Sequence, residues 1–568
     1  MPDRHFQFWP THAMPTLSVP ATNVFYNAEV SARRYPDKPY LIFYDTPVTF
    51  ADFFDEAQRV AGFLEHHCGV RKGDRVLLYL QNSPQFSIGY YGILRANAVA
   101  VPVNPMCLTQ ELSRYAKDAG ATTVIVSQEL YPRVAPLIGR DGLEHVILAT
   151  YSDYLKAPTT LSLPDFVAAP RLEAVAPGVT PWREVLASGA LPGPLTAGPD
   201  DLCVMPYTSG TTGAPKGCMH THRSTMHVLV ANMRWFAVQP EMNLLAVAPF
   251  FHVTGMQGGM NSPLYNGNTV VVLPRWDREV AARCVERYGI TTWTAVPTLI
   301  QDFFMNPNIG RYDISSIRRL SGGGAAMPAA VARRLGDIGV TYFEGYGLSE
   351  TMAATHLNPP HRPKQQCLGI PIYGVDSRVI DPATLSELPA GEVGEIVTHG
   401  PQVFLGYWNR PEEDAEVFIQ IDGKRFLRTG DLGKIDEDGY FFMVDRLKRM
   451  INASGFKVWP SEVESLMYQH PAVLEACVIG AKDAHRGETV KAVVVLRPDW
   501  HGRVDAPSLI DWCRQNMAAY KAPRIISFVD ALPKSGAGKI QWRELQEREN
   551  AANSPPSAAG PQQPGVPS

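Results

Sequence analysis

An α/β fold of layered, largely parallel sheets and helices, followed by a small separate C-terminal domain of mixed β and α, is predicted by three observations. Short apolar runs rich in β-branched residues alternate with helical periods from about Thr49 onward, the rhythm that parallel strands and their crossover helices impose. A second rhythm begins near Asp445-Arg446-Leu447-Lys448, where strands and helices become shorter and mixed. The length of 568 residues exceeds one core, because single cores stop growing near roughly 250 to 300 residues. The expected organisation is an N-terminal extension over 1–24, a large domain over 25–445, a small C-terminal domain over 446–548 and a tail over 549–568.

Thr49 reads as a helix N-cap, because Phe50, Phe54, Ala57, Ala61 and Leu64 follow it at helical spacing. The run 75–80 then reads as a buried strand. Further strands are expected over 99–103, 122–126, 146–148, 244–248, 269–273, 292–296, 317–320 and 341–344, with helical segments between most of them. Residues 151–200, rich in proline and poor in periodicity, read as a long loop or insertion. In the small C-terminal domain a helix is expected after Trp459-Pro460-Ser461, strands over 476–479 and 490–496, and a helix over 506–517. From Asn550 onward Pro, Ser, Ala, Gly and Gln predominate, a composition that predicts disorder.

Composition excludes several classes. A hydrophobic share of 45% with 19% charged residues is that of a globular protein rather than a disordered one. The net charge of -4 offers no basic field for nucleic acid and no polybasic strip for anionic lipid. Small-molecule substrates are therefore expected. Of the 8 cysteines no two lie within four positions, which removes a CxxC site. Reduced thiols and a cytoplasmic location follow. The first 23 residues lack a basic region followed by an apolar run, so no secretory signal is read there. The longest apolar stretch, 86–103, is interrupted by Arg95 and Asn97, which argues against an integral membrane segment.

Five segments carry chemistry. The run from Tyr207 to Gly217 packs Thr208, Ser209, Gly210, Thr211, Thr212, Gly213 and Lys216 together. Glycines let backbone N–H groups approach an anion, hydroxyls add donors, and one lysine supplies a point charge suited to a polyphosphate. It is no Walker A loop, since Lys216 lies between Pro215 and Gly217. A flexible surface loop is the plainer alternative. Gly322-Gly323-Gly324 would let a flat ligand approach the backbone after a strand, or simply form a turn. Glu344-Gly345-Tyr346-Gly347-Leu348-Ser349-Glu350 sets an aromatic, a hydroxyl and a carboxylate at a strand end, able to stack a base, bind a phosphate and hold Mg²⁺. The alternative makes Tyr346 core and Glu350 a helix N-terminal charge. Arg428-Thr429-Gly430-Asp431 places a carboxylate in an expected turn, and Pro533 to Lys539 ends a glycine-rich loop on a lysine.

Together, in this order and spacing, the segments 207–217, 344–350, 428–431, 445–457 and 533–539 resemble the adenylate-forming (AMP-binding) superfamily of acyl-CoA synthetases, firefly-type luciferases and peptide-synthetase adenylation domains. The resemblance runs from about residue 25 to 547. It implies ATP, Mg²⁺ and coenzyme A as cofactors, an ATP- and acyl-binding large domain, and a small mobile C-terminal α+β lid domain that swings about a hinge. By this resemblance Lys539 bridges the acyl carboxylate and the phosphate, Glu350 is the Mg²⁺ ligand, and Lys216 assists catalysis. Ser349 stands where many relatives carry threonine. Asp431 matches the ribose-binding aspartate and Arg446 a second nucleotide contact. Gly323, Gly324, Glu344, Gly345, Tyr346 and Lys457 complete the nucleotide site. Phe250 to Met256 resembles the acyl-pocket segment, with His252, Val253, Gly255 and Met256 beside the acid, joined by Gly322 and Gly347. Gly255, Gly258 and Gly259 either open an alkyl tunnel or pack helices. Lys448 falls at the hinge, and Ser454, Gly455 and Phe456 belong to the segment that faces the coenzyme A arm after the lid rotates.

The implied function is an ATP-dependent acid–CoA ligase, with a medium- or long-chain fatty acid expected and an aryl carboxylate as the alternative. The 29 residues after Lys539 leave no carrier domain, which favours free CoA over a peptide-synthetase partner. A luciferase-like oxygenase would share the adenylation motifs. A non-catalytic nucleotide-binding protein would have no use for Lys216, Glu350, Asp431 and Lys539 together. Whether the chain forms a homodimer stays open.

Overall fold

The computed structural model describes residues 4–140, 142–172, 176–209, 215–323, 327, 329–453, 456–483, 487–534 and 540–552. They form two compact units. The first takes in Met1–Thr429 and Lys434–Met443, and the second takes in Gly430–Gly433 and Val444–Ser568.

Two mainly parallel sheets dominate the first unit. One orders Ile370–Pro371, Ala353–Leu357, Thr341–Leu348, Arg319–Gly323, Ile290–Thr294, Asn243–Ala246, Thr269–Val272, Pro39–Phe43 and Thr46–Thr49. Its six middle strands, from Thr341–Leu348 to Pro39–Phe43, run parallel, and both edges are antiparallel. The other orders His220–Thr221, Leu202–Val204, Val99–Pro102, Arg75–Tyr79, Thr123–Ser127, His145–Ala149 and Val179–Pro181. Strands such as Thr269–Val272 and Val99–Pro102 are buried at every position, as parallel strands covered on both faces must be. That is why they read as continuous apolar runs. A third sheet joins Asp376–Ile380, Gly394–His399, Phe418–Ile421, Lys424–Ile435 and Phe441–Arg446, with the first two antiparallel to each other and Phe418–Ile421 antiparallel to Lys424–Ile435.

The helix Phe50–His66 begins where expected. Thr49 Oγ1 accepts from the Asp52 N–H at 3.0 Å, a cap that stabilises a helix by about 1 kcal/mol. Phe50, Phe53, Ala57, Val60, Ala61 and Leu64 face inward, whereas Phe54 is only half-buried. Residues 151–200 depart from expectation. Val179–Pro181 adds a parallel strand beside His145–Ala149, and Trp182–Ala187 is a helix whose buried Trp182 donates through Nε1 to Tyr154 Oη at 3.1 Å. Three residues ending in proline are too short to show a period, so the strand was hidden in a loop-like composition. The N-terminal extension is packed as well: Trp9 sits 5.5 Å from the Trp235 ring and 4.8 Å from that of Tyr373.

In the second unit Val473–Asp483 pairs antiparallel with Gly487–Leu496, which pairs in parallel with Ile525–Phe528. Alternation along the strands splits the core. Ala476, Val478, Val490 and Val494 meet Val463, Met467, Leu509 and Cys513, while Cys477, Ile479, Val493 and Val495 meet Leu532 and Leu545. The last helix, Trp542–Ala552, passes the predicted end at 548, and the Lys491–Glu549 ion pair at 2.5 Å holds its final turns. Residues 549–552 are thus helical rather than tail; 553–568 lie outside the described residues. All eight cysteines are free and buried.

Burial favours the neutral form of His220, His222, His227 and His356 in the first unit. Burial lowers His220 and His222 to about 4 and His356 to about 3. Each folded value lies below the unfolded value near 6.5, so the unfolded chain binds more protons between the two, and the stability held above pH 6.5 is lost as pH falls toward 4. Glu344 and Glu464, raised by burial, act with the opposite sign. The histidine contribution is therefore read by difference. In His222→Asn, whose amide oxygen can replace Nδ1 as acceptor for the Val24 N–H at 3.0 Å, the fall in thermal midpoint from pH 6.5 to 4.5 should be shallower than in the wild type. Equal slopes in a scanning-calorimetry series would remove His222 from the proton balance.

Candidate active site

The phosphate-cradle run is held at both ends by a hairpin. Tyr207–Ser209 pairs antiparallel with Pro215–Gly217, with Thr208 opposite Lys216. Gly210, Thr211, Thr212 and Gly213 lie outside the described residues. Asp118 ties this stem to the segment that follows Gly406. Its Oδ2 accepts from Tyr207 Oη at 2.7 Å, its Oδ1 from Arg410 Nη2 at 2.8 Å, and its carbonyl from Trp408 Nε1 at 2.9 Å. The Trp408 N–H donates to Gly217 O at 2.8 Å. Such tethering does not suit a loose surface loop.

Lys216 is 6% exposed. Its ammonium lies 3.6 Å from Glu413 Oε1 and 5.0 Å from the centre of the Tyr407 ring, so an enclosed charge is met by an anion and by π-density. Glu350 arrives from the other side. The strand Thr341–Leu348 ends in the 3₁₀ turn Ser349–Thr351, closed by Leu348 N–H donating to Thr351 Oγ1 at 2.9 Å. Glu350 Oε1 then accepts from Tyr407 Oη at 2.7 Å, and its carbonyl accepts from the Phe404 N–H at 2.9 Å. The Ser349 carbonyl meets His220 Nε2 at 2.7 Å. Lys216 and Glu350, separated by 134 positions by subtraction of their numbers, thus converge on one tyrosine. Sequence reading missed Tyr407 and Glu413. The run Gly406-Tyr-Trp-Asn-Arg-Pro-Glu-Glu413, with aromatic and charged residues after a glycine, was the signal available.

Among the described residues no group of three His, Cys, Asp or Glu side chains could by itself cage a metal. One carboxylate beside a lysine fits Mg²⁺, which keeps several waters and takes phosphate oxygens alongside one or two carboxylates.

The glycines of the nucleotide segment answer to neighbouring strands. Gly322 and Gly323 lie within Arg319–Gly323 rather than after it. A Cβ on Gly322 would fall 2.0 Å from Ala295 O, one on Gly323 2.4 Å from Gly345 O, and one on Gly347 1.7 Å from Ala353 O. Glu344 is a buried strap: its carboxylate accepts from the Met327 N–H at 2.7 Å and the Cys367 N–H at 3.1 Å. Tyr346 packs with Val379, Ile396 and Phe441. Gly324 lies outside the described residues.

In the segment expected to border the acid, His252 caps the short helix Val253–Met256, its Nδ1 accepting from the Thr254 N–H at 3.3 Å. Val253 and Met256 are buried. The chain then makes a π-helical turn over Gln257–Asn261, a form that recurs at functional sites. A Cβ on Gly255 would lie 2.2 Å from Pro249 O, one on Gly259 2.9 Å from a Phe250 ring carbon and one on Gly258 3.2 Å from Thr294 Oγ1, so each glycine has neighbouring chain close against it.

In the second unit Asp431 lies in the strand Lys424–Ile435, not in a turn. It is 1% exposed, with Arg446 Nε 3.0 Å from its Oδ1. Lys448 is in the 3₁₀ turn Leu447–Arg449. The backbone of Phe456 and Lys457 pairs with Ala453 and Asn452. Ser454, Gly455 and Lys539 lie outside the described residues.

The family profile described as AMP-binding enzyme matches residues 28–408, and that of the AMP-binding enzyme C-terminal domain matches 462–539. The chain belongs to the AMP-binding enzyme family. Similar members include a long-chain-fatty-acid–CoA ligase of Bacillus subtilis (strain 168), 35% identical over 91% of this chain and 93% of that one. A feruloyl-CoA synthase of Amycolatopsis sp is also 35% identical, over 89% of this chain and 94% of that one. Among solved structures, ATP-bound MatB from Rhodopseudomonas palustris superposes with a TM-score of 0.80 at 28% identity, covering 93% of this chain and 100% of that one. The mainly parallel sheets with a smaller C-terminal unit are the fold of this AMP-binding enzyme.

Because Gly255 faces backbone oxygens, Gly255→Ala should destabilise by about 1–3 kcal/mol, the usual scale of overpacking. It should lower activity toward all acids alike. A selective loss of long-chain acids, with an unchanged melting temperature, would return Gly255 to the tunnel wall.

Proposed function

We propose that this AMP-forming acid–CoA ligase acts on a medium- or long-chain fatty acid. The acid first attacks the α-phosphorus of ATP to give an acyl-adenylate and pyrophosphate, and the thiol of coenzyme A then displaces AMP. Two anions must meet in the first step, so catalysis rests on positioning and charge neutralisation. The observation that carries the reading is the convergence of Lys216 and Glu350 on Tyr407 beside the hairpin stem.

In this reading Lys216 binds phosphate oxygens, and Glu350 would hold Mg²⁺, which when bound supplies further positive charge at the phosphates. Asp431 and Arg446 take the ribose, Tyr346 lies against the base, and His252 borders the acid. Residues 25–445 bind ATP and acid, and 446–548 form a lid that brings Lys539 to the first step and Ser454 to Lys457 to the second. A cytoplasmic location and a homodimer belong to the same proposal, tested by cell fractionation and analytical sedimentation.

Substrate class rests on likeness to the Bacillus relative over most of both chains. An equally identical feruloyl-CoA synthase favours a ring acid as second reading. CoA-dependent AMP release across acetate, octanoate, palmitate, benzoate, phenylacetate and ferulate decides between them. A maximum among aliphatic acids is expected; one among ring acids would establish the alternative.

Lys539→Ala should slow adenylation by on the order of 10² or more, the scale for losing one charge-stabilising donor, while thioester formation from supplied acyl-adenylate persists. Equal loss of both half-reactions would refute the role given to Lys539. Gly455→Leu should do the reverse, keeping ATP–pyrophosphate exchange and losing acyl-CoA.

A further inference from the structure

We propose that Tyr407 is the positioning residue of the adenylating site: its hydroxyl orients Glu350 and the face of its ring seats the Lys216 ammonium. The inference rests on the reading of Lys216 and Glu350 as adenylation residues and deepens it.

Tyr407 is placed by contacts on every side. Its N–H donates to Asp414 Oδ1 at 2.8 Å, and its backbone bridges that of Cys218, one residue beyond the hairpin stem. The side chain packs with Cys218, Phe404 and Leu427, and the Phe404 ring crosses it edge-on at 4.8 Å. A ring so enclosed has few rotamers to exchange. Its two ends then act on different partners. At the tip Oη donates to Glu350 Oε1 at 2.7 Å, which limits carboxylate rotation and directs ion coordination toward a fixed geometry. On the face, Lys216 Nζ stands 5.0 Å from the ring centre, an attraction that grows where water is excluded.

Glu413 completes the arrangement. It lies 3.6 Å from Lys216 Nζ and 4.0 Å from Arg410 Nε, and Arg410 is in turn held by Asp118. Glu413 therefore offers the lysine an anion that a polyphosphate can replace, whereas the tyrosine face remains under it throughout. Tyr407 sets where the two charges stand relative to each other; by this account it does not touch the reacting atoms.

Two substitutions separate the hydroxyl from the ring. Tyr407→Phe keeps the π-face and removes the donor; Tyr407→Leu removes both. Binding is read directly, by electron paramagnetic resonance of Mn²⁺ with α,β-methylene-ATP and by calorimetric titration of that analogue, with thermal midpoints as folding controls. In Tyr407→Phe, Mn²⁺ should bind about tenfold more weakly, the cost of one hydrogen bond to a charged group, while nucleotide affinity at saturating Mn²⁺ stays within about twofold. In Tyr407→Leu the nucleotide should bind about fivefold more weakly again, from loss of the cation–π contact. Wild-type Mn²⁺ affinity in Tyr407→Phe would overturn the hydroxyl's role, and equal nucleotide affinity in the two variants would overturn the ring's. A proportionate loss of affinity for nucleotide, acid and coenzyme A together would reduce Tyr407 to packing. Should Tyr407→Leu not fold, Tyr407→Met, of similar bulk and without a π-face, decides the second point. Absence of ATP–pyrophosphate exchange in the wild type would instead refute the adenylating function, while the binding measurements still judge Tyr407.

Discussion

An ammonium group almost closed off from water is the constraint around which the first unit's site is built. Lys216 could not be enclosed without compensating charge, and the chain supplies it from a segment roughly 200 positions away. Glu413 and the Tyr407 ring are brought to the hairpin by Trp408, Arg410 and Asp118, each through a hydrogen bond or ion pair to the stem or its neighbour. The same tyrosine reaches Glu350 at the end of a central parallel strand. Sheet, hairpin and the 406–414 segment are therefore mutually dependent at this point. A disturbance of any one would be felt as a misplaced charge before it was felt as lost packing.

Glycines in this molecule serve a different end from the one their pattern suggests. A run of glycines beside a strand is easily taken as clearance for a ligand. Here Gly322, Gly323 and Gly347 clear space for carbonyls of adjoining strands, and Gly255 for those of Ala248 and Pro249. Close strand-to-strand approach lets the ends of Arg319–Gly323 and Thr341–Leu348 lie side by side, with Gly322 opposite Glu344 and Gly323 opposite Gly345. That pairing carries the chain onward to Glu350. The glycines thus shape the site indirectly, by allowing the strand that delivers the carboxylate to run where it does.

How much was legible in the sequence follows from the physics of each element. Strands over 75–79, 99–102 and 269–272 were visible because burial on both faces leaves a nearly continuous apolar run. The cap at Thr49 was visible because capping is local. Val179–Pro181 was not, since its pairing with His145–Ala149 is a tertiary fact that three residues cannot announce. Asp431 was read as a turn residue from Thr-Gly-Asp, yet Gly430 lies within a 12-residue strand that absorbs its positive φ of 67°. Lys216 and Glu350 stood out as motif residues, whereas Tyr407 and Glu413 did not. A residue that works by facing two others has no signature in its own neighbourhood.

The same asymmetry separates what the family settles from what it leaves to experiment. Charges at fixed places, such as those of Lys216 and Glu350, are conspicuous as motifs. The choice of acid depends on the shape of an apolar surface, to which many residues contribute a little and none contributes a charge. Relatives that take a long-chain fatty acid and ferulate stand at the same 35% identity to this chain. The His252 cap, the short helix that carries Gly255 and the π-helical turn over Gln257–Asn261 form a closely packed local frame. Under the role proposed for this segment, variation in acid size falls to side chains rather than to that frame. Specificity in such a scaffold can shift through modest changes in apolar residues while the charged centre around Tyr407 stays as it is.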